Sequence, residues 1–131
     1  MLSESQCIEV ADKVWRWKKR DASFGLPEES RPLYWYEPSE KEGQLVPTFS
    51  GYQLKDEVNS WSGFGRTLEA MAGQGWFFQE VTFYRLIHLG FVSDSAEKVC
   101  IEWDPESPKE LITATHLGAL EALKNESNRN A

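Results

Sequence analysis

This chain contains few of the residues from which catalytic and metal sites are built, with two cysteines and two histidines among its 131 residues. Cys7 and Cys100 lie far apart and lack metal-like spacing, so we expect two reduced, partly buried thiols rather than a disulfide. No Gly-rich phosphate loop precedes a lysine, and no nucleophile elbow occurs. We therefore expect no cofactor and no metal site.

Long apolar runs are also missing. No run approaches the roughly 18 residues that a membrane span needs, and no charged-then-apolar signal segment opens the chain. We therefore expect a cytoplasmic protein with no membrane partner. The formal net charge of −7 argues against nucleic-acid binding, which relies on cationic neutralisation of phosphates. Its simplest consequence is solubility.

Aromatic residues are plentiful, with six Trp, four Tyr and seven Phe, and their densest segment, 76–103, predicts the central sheet. The odd positions from Phe77 to Phe91 are mostly large and apolar, and the same pattern resumes at 99–103. Because alternate residues of a strand share one face, these positions are predicted to face the core.

The even positions of the same segment, from Trp76 to His88, mix aromatic and polar residues. A water-facing strand alternates more sharply, so we expect a helix, a loop or a partner chain to cover this face. Residues 76–92 are long for one strand, and a bulge near Tyr84–Arg85 would reconcile the length with the pattern.

Three helices are predicted from apolar residues at three- and four-residue spacing, over about 5–20, about 60–72 and from 108 onward. In the last helix, Ser107 and Glu110 flank Pro108 in the pattern of a capping box. The predicted fold is α+β, with an antiparallel sheet of about three to four strands packed by three helices. One domain is expected over 1–124, followed by a frayed tail over 125–131.

Residues 21–56 are irregular and rich in Gly and Pro, apart from Leu33–Tyr36, which is a candidate edge strand. A connection of this length is often functional, so we expect it to form one wall of any ligand or partner surface. The basic residues at 16–20 either complement the helix dipole or form a phosphate patch.

An aromatic-rich surface is the candidate binding site. Arg85 interrupts the apolar face, which a bulge, a carboxylate partner or a bound anion would explain. His116, on the apolar face of the last helix, is expected to be a hydrogen-bonded core residue rather than a catalytic one. The candidate ligand or partner surface comprises Trp35, Tyr36, Trp61, Trp76, Tyr84, Arg85 and His88.

Three blocks carry a family resemblance: residues 10–17; residues 68–71 with 75–78; and residues 108–112 with 119–123. In order and spacing they resemble the phage alpha-beta-alpha (ABA) sandwich domain, a family of small bacteriophage and prophage proteins with no established function. The family commonly has glycine where this chain has Arg16. The resemblance implies no catalytic residues and a setting in the cytoplasm of an infected or lysogenic bacterium.

The leading functional hypothesis is a non-enzymatic phage accessory protein that binds a host or phage component through the aromatic-rich surface. The alternatives are a small-molecule binder that sequesters a host nucleotide signal and an enzyme with no recognisable motif. A homo-oligomer, most simply a dimer, is expected through the even face of the sheet, because interfaces tolerate its mixture of aromatic and polar residues. If another part of the chain covers that face, a monomer suffices.

Overall fold

A computed structural model describes residues 1–21, 33–38, 47–83 and 86–129, with the side chains of all these residues except 21, 81–83, 86–87 and 129. Helices and antiparallel strands follow one another along the chain, which confirms the α+β class. The elements are α1 (Glu4–Glu9), a π-helical turn (Val10–Val14), β1 (Lys18–Asp21), β2 (Leu33–Tyr36), α2 (Gly51–Val58), α3 (Trp61–Gly73), β3 (Trp76–Phe83), β4 (Leu86–Ser93), β5 (Lys98–Ile101) and α4 (Glu110–Arg129).

The strands form two antiparallel sheets instead of one. The main sheet has the order β3-β4-β5, and the second pairs β1 with β2. The predicted edge strand Leu33–Tyr36 is present as β2, and Trp35 forms a further bridge with Phe49. Among the described residues, no helix is long and apolar enough to cross a membrane.

The stretch predicted as one long strand is two strands, β3 and β4. The prediction that odd positions face the core is therefore correct in β4 and wrong in β3. In the β3–β4 register Phe78, at an even position, lies opposite Phe91, at an odd one. The residues that face the core are therefore at even positions in β3 and at odd positions in β4. Phe91 is fully buried as predicted, but in β3 the buried residue is Trp76, whereas Phe77 is 47% exposed. The predicted bulge residues, Tyr84 and Arg85, lie outside the described residues.

Helices α3 and α4 cover the inner face of the main sheet. Phe64 of α3 meets Phe78 edge to face at 5.9 Å, and Phe78 meets Phe91 at 5.6 Å. A Cβ at Gly118 of α4 would lie 3.0 Å from Ile101 Cγ1, so this glycine lets the helix approach β5 closely. Trp76 is thus buried and Phe78 half-buried within the chain, whereas Glu80 is exposed, so the oligomer predicted through that face stays a prediction.

A short helix, α2, lies inside the segment predicted to be irregular. Its first turn is closed by a capping box in which Ser50 Oγ accepts from the Gln53 backbone and the Gln53 side chain accepts from the Ser50 backbone. It packs so closely on α3 that a Cβ at Gly63 would fall 2.6 Å from the Val58 carbonyl oxygen. The glycine that weakens α3 as an isolated helix therefore permits this contact.

The capping box predicted at Ser107 is not among the hydrogen bonds of the described residues. Instead, the backbone N–H of Glu110 donates to the Ser107 carbonyl at 2.9 Å, which makes a tight turn before α4. A second capping box, not predicted, joins Ser3 and Gln6 at the start of α1. Helix α4 continues to Arg129, so it occupies most of the segment predicted as a frayed tail.

Candidate functional site

Two of the predicted surface tryptophans belong to the core. Trp35 is 4% and Trp76 is 1% exposed, because the strands that carry them turn both rings inward. Each indole N–H reaches a carboxylate at the edge of the core: Trp35 Nε1 donates to Asp12 Oδ1 at 3.3 Å, and Trp76 Nε1 donates to Glu126 Oε2 at 2.9 Å. Both rings are therefore buried, and each indole N–H holds a carboxylate at the edge of the core.

The other described residues of the predicted surface lie on separate elements. Trp61, at the start of α3, is 49% exposed and meets Phe64 edge to face. Tyr36 lies under the Arg20 guanidinium at 5.2 Å. His88 is half-buried on β4. No hydrogen bond or ring contact among the described residues joins Trp61, Tyr36 and His88, and the predicted surface as a whole stays a prediction.

His116 is a fully buried member of a hydrogen-bond chain, which confirms its prediction as a core residue. Trp15 Nε1 donates to Thr67 Oγ1 at 2.8 Å, and Thr67 Oγ1 lies 2.8 Å from His116 Nδ1. His116 Nε2 lies 2.7 Å from the Val58 carbonyl oxygen. Because that carbonyl only accepts, the ring carries its hydrogen on Nε2, and the Thr67 hydroxyl donates to Nδ1.

Burial lowers the pKa of His116 to about 4, and the hydrogen bond to the Val58 carbonyl opposes this shift. The histidine is therefore neutral at physiological pH. Both ring nitrogens are occupied by protein partners, so neither is free to exchange a proton with a substrate.

The two cysteines are free, as expected. Cys7 is fully buried, and burial raises the pKa of its thiol to about 11 despite a hydrogen bond from Asn59. Cys100 is half-buried on β5, where burial first and the Glu102 carboxylate second raise the pKa of its thiol. A raised pKa lowers the thiolate fraction, so neither residue has an activated nucleophile's environment.

A groove of about 940 Å³ runs between the first helical segment, the end of α3 and the last turns of α4. We call it the charged groove because ionisable side chains of both signs line it. None of the predicted site residues lines it, since no motif marks a surface assembled from helices distant in sequence. Its lining residues are Glu9, Asp12, Lys13, Arg16, Gln74, Leu120, Glu121, Leu123, Lys124, Glu126, Ser127 and Asn128.

One wall of the charged groove is an unusual helix end. The Trp15 backbone N–H donates to the Val10 carbonyl at 3.0 Å, which closes a π-helical turn, a form common at functional sites. The next residue, Arg16, has φ of 56°, a left-handed conformation that favours glycine. Arg16 is exposed.

Gln74 ties this wall to α3. Its side-chain N–H₂ donates to the Val14 carbonyl at 2.9 Å and to the Ala70 carbonyl at 3.3 Å. The Val14 carbonyl belongs to the π-helical turn, so the glutamine satisfies a backbone group at the end of that turn. The other side-chain atom, Oε1, is buried without a hydrogen-bond partner among the described residues.

Several charges of the groove are satisfied within the protein. Glu9 and Lys13 form an ion pair at 3.0 Å, and Asp12 pairs with Lys19 at 3.0 Å. Glu126 accepts the hydrogen bond from the Trp76 indole.

Three groove charges, those of Arg16, Lys124 and Glu121, have no hydrogen bond or ion pair with the rest of the described chain. Two cations and one anion on facing helical segments are thus available to a ligand. Within the described residues, no group of three or more His, Cys, Asp or Glu side chains is arranged to hold a metal ion.

No protein-family model, curated protein or solved structure matches this chain. The resemblance to the ABA sandwich family therefore stays a prediction from the three sequence blocks.

Proposed function

We propose that this protein is a non-enzymatic binding protein and that its charged groove holds a segment of a partner protein. The observation that carries the proposal is the set of groove charges, those of Arg16, Lys124 and Glu121, that have no partner in the part of the chain the structure describes. Arg16 and Lys124 offer donors to an acidic group, and Glu121 accepts from a basic one. Leu120 and Leu123, both half-buried, supply apolar contact between them. A peptide segment with charges of both signs fits this arrangement best.

The backbone of Arg16 supports the same conclusion. A non-glycine residue in the left-handed region costs about 1–2 kcal/mol, and such costs cluster at functional sites. In return, the chain gains a guanidinium at the rim of the groove, which can bind a carboxylate through two parallel hydrogen bonds.

A small-molecule binder that sequesters a host nucleotide signal is the second candidate. The groove volume of about 940 Å³ lies within the usual range for ligand sites, and Arg16 and Lys124 suit a phosphate. However, no aromatic side chain lines the groove to stack a base. The four acidic residues of the lining also oppose a polyanion, so the geometry favours the protein segment.

An enzyme without a recognisable motif is the third candidate. His116, the histidine with the perturbed pKa, is sealed in the core, and the groove contains no histidine or cysteine. A groove lined by lysine, arginine and carboxylates suits binding better than proton transfer.

The biological setting follows from the resemblance. We propose a bacteriophage or prophage accessory protein that acts in the bacterial cytoplasm on a host or phage protein. We also propose that it is a homodimer. Trp76 and Phe78, aromatic residues of the predicted even face, pack inside the same chain, which favours another surface for the dimer.

Affinity capture from a bacterial lysate, followed by cross-linking of the purified complex, tests the binding site. We expect cross-links from the partner to the π-helical turn and the end of α4. Reversing both free cations, Arg16→Glu with Lys124→Glu, should weaken the purified complex by about 10-fold or more, since close interfacial charge pairs couple by more than 1 kcal/mol. Lys18→Glu, on exposed β1 outside the groove, is the matched control.

Two results would contradict the proposal. The first is a complex that the double reversal leaves unchanged while Lys18→Glu weakens it. The second is a nucleotide released from the purified protein and detected by mass spectrometry, whose binding the double reversal abolishes. That result would favour the small-molecule alternative.

A further inference from the structure

The free edge of β5 is the second surface of interest. Strand β5 is the last strand of the main sheet, and among the described residues it pairs with β4 alone. An edge strand presents backbone N–H and C=O groups that a further strand can pair with. A groove of about 530 Å³ lies between this edge and the flank of α4, where Ala114, Leu117 and Gly118 line it. There is therefore room beside the edge for another extended segment.

The sequence of β5 is complementary to itself in the antiparallel direction. Lys98 and Cys100 lie on the outer face of β5, Glu102 follows directly after the strand and is exposed, and Val99 and Ile101 are buried beneath α4. If a second β5 pairs with the first about a two-fold axis at Cys100, each Lys98 lies opposite the Glu102 of the other copy. Neither Lys98 nor Glu102 has a hydrogen bond or ion pair with the described part of its own chain.

We propose that two copies of this chain pair through their β5 edges, antiparallel about a two-fold axis at Cys100, and form a continuous six-stranded sheet. Closed two-fold dimers are the commonest oligomers, and in them each contact occurs twice. This inference gives the proposed homodimer its interface. The charge pairs favour this register over a one-residue shift, which would place Lys98 opposite Ile101 or Trp103 and turn each buried side chain to the other face.

The helices support the same geometry. Adjacent strands lie about 4.8 Å apart, and helices pack at about 8–10 Å. Helix α4 contacts both β4 and β5, so its copies would meet flank to flank across the axis. Leu117, 43% exposed beside the β5 edge, would be covered there. Apolar contact at Leu117 and the backbone ladder hold the dimer, since exposed ion pairs alone contribute little.

Light scattering coupled to size-exclusion chromatography gives the first test. We expect a mass near twice 15.1 kDa for the wild type at high concentration. Lys98→Glu and Glu102→Lys each place like charges opposite one another twice per dimer. Each should therefore raise the dimer dissociation constant about 10-fold or more, whereas the double swap Lys98→Glu/Glu102→Lys should restore it to within about threefold.

Cross-linking gives the second test. Directly opposed residues of antiparallel strands have Cα atoms about 4.5–5.5 Å apart, which a disulfide tolerates. Diamide removes two hydrogens from two thiols, so Cys100 of each copy should join in a covalent dimer. Cys100→Ser should abolish the cross-link, and the buried Cys7 should not replace it.

Three outcomes overturn the inference in distinguishable ways. A mass of one chain at every concentration excludes both the homodimer and its interface. A dimer that the single charge changes leave intact, with no Cys100 cross-link, places the interface elsewhere. Loss of the dimer by Arg16→Glu/Lys124→Glu, with no effect of the β5 changes, would make the charged groove the dimer contact. The Lys98→Glu variant should still bind the groove partner, so failure of the dimer can be distinguished from failure of the proposed function.

Discussion

Removing one hydroxyl group from the core should show whether the hydrogen-bond chain at His116 holds the fold together. Thr67→Val keeps the shape and the β-branch of the side chain but deletes the oxygen that bridges Trp15 and His116. The Trp15 indole N–H then has no acceptor, and His116 Nδ1 has no donor. Thr67 and His116 are fully buried, so water cannot replace the lost partner without rearrangement.

The expected loss of stability follows from those two orphaned groups. Leaving one buried polar group unsatisfied costs about 1–3 kcal/mol, and the added methyl group returns about 0.8 kcal/mol of hydrophobic stabilisation. Thr67→Val should therefore lower the free energy of unfolding by about 2–4 kcal/mol. Urea denaturation followed by tryptophan fluorescence measures this loss directly.

Thr115→Val is the matched control, because it makes the same chemical change at another fully buried threonine of this core. Thr115 Oγ1 has no hydrogen-bond partner among the described residues. Deleting it removes an unsatisfied group and should raise the free energy of unfolding by about 1 kcal/mol. Equal effects of the two substitutions, or a loss under about 0.5 kcal/mol for Thr67→Val, would show that the Thr67 hydrogen bonds do not stabilise the fold.

Three further changes test other parts of the structure. Ser50→Ala should lower the free energy of unfolding by about 0.5–2 kcal/mol, the usual loss of an N-cap, whereas Ser107→Ala should change it little. A larger loss for Ser107→Ala than for Ser50→Ala would support the capping box predicted before α4. Because burial lowers the pKa of His116 to about 4, the unfolded chain binds the proton more readily, so stability is full above about pH 6.5 and falls as the pH falls towards 4. Denaturation curves should lose about 1 kcal/mol between pH 7 and pH 5.5 through this residue, and a slope that persists in His116→Gln would assign it to other groups. Arg16→Gly should raise the thermal midpoint, with a gain of up to about 1 kcal/mol from the relieved left-handed backbone, while weakening the groove complex; unchanged binding would remove Arg16 from the site.

The α+β class and the core role of His116 could be predicted because they depend on local patterns. Apolar residues at helical spacing marked α3 and α4, and β-branched and aromatic residues marked the main sheet. The division between β3 and β4 could not be predicted, since no Gly, Pro or Asn interrupts residues 76–89. Because the apolar pattern continues through the turn, it does not show that the core-facing positions change from even in β3 to odd in β4. Phe77 was therefore predicted to face the core, although it is exposed.

The charged groove could not be predicted for a different reason. Its residues come from the first helical segment, the end of α3 and the last turns of α4, and only the packing of these helices brings them together. The one signal rests on the predicted resemblance: Arg16 stands at a position where that family commonly has glycine, and its backbone is left-handed. A non-glycine residue with a left-handed backbone at a helix end indicates a functional role for the adjacent surface, because such strained residues cluster at functional sites.

Hydrogen–deuterium exchange of the purified complex tests the central claim, that the charged groove binds a partner segment, most directly. If the groove binds a partner segment, the partner should slow backbone exchange in residues 9–16 and 120–128 and leave β5 and the N-terminal turn of α3 unchanged. Arg16→Glu/Lys124→Glu should remove this protection at the same partner concentration. Protection centred on Trp61 or His88, with residues 9–16 and 120–128 unaffected, would contradict the account.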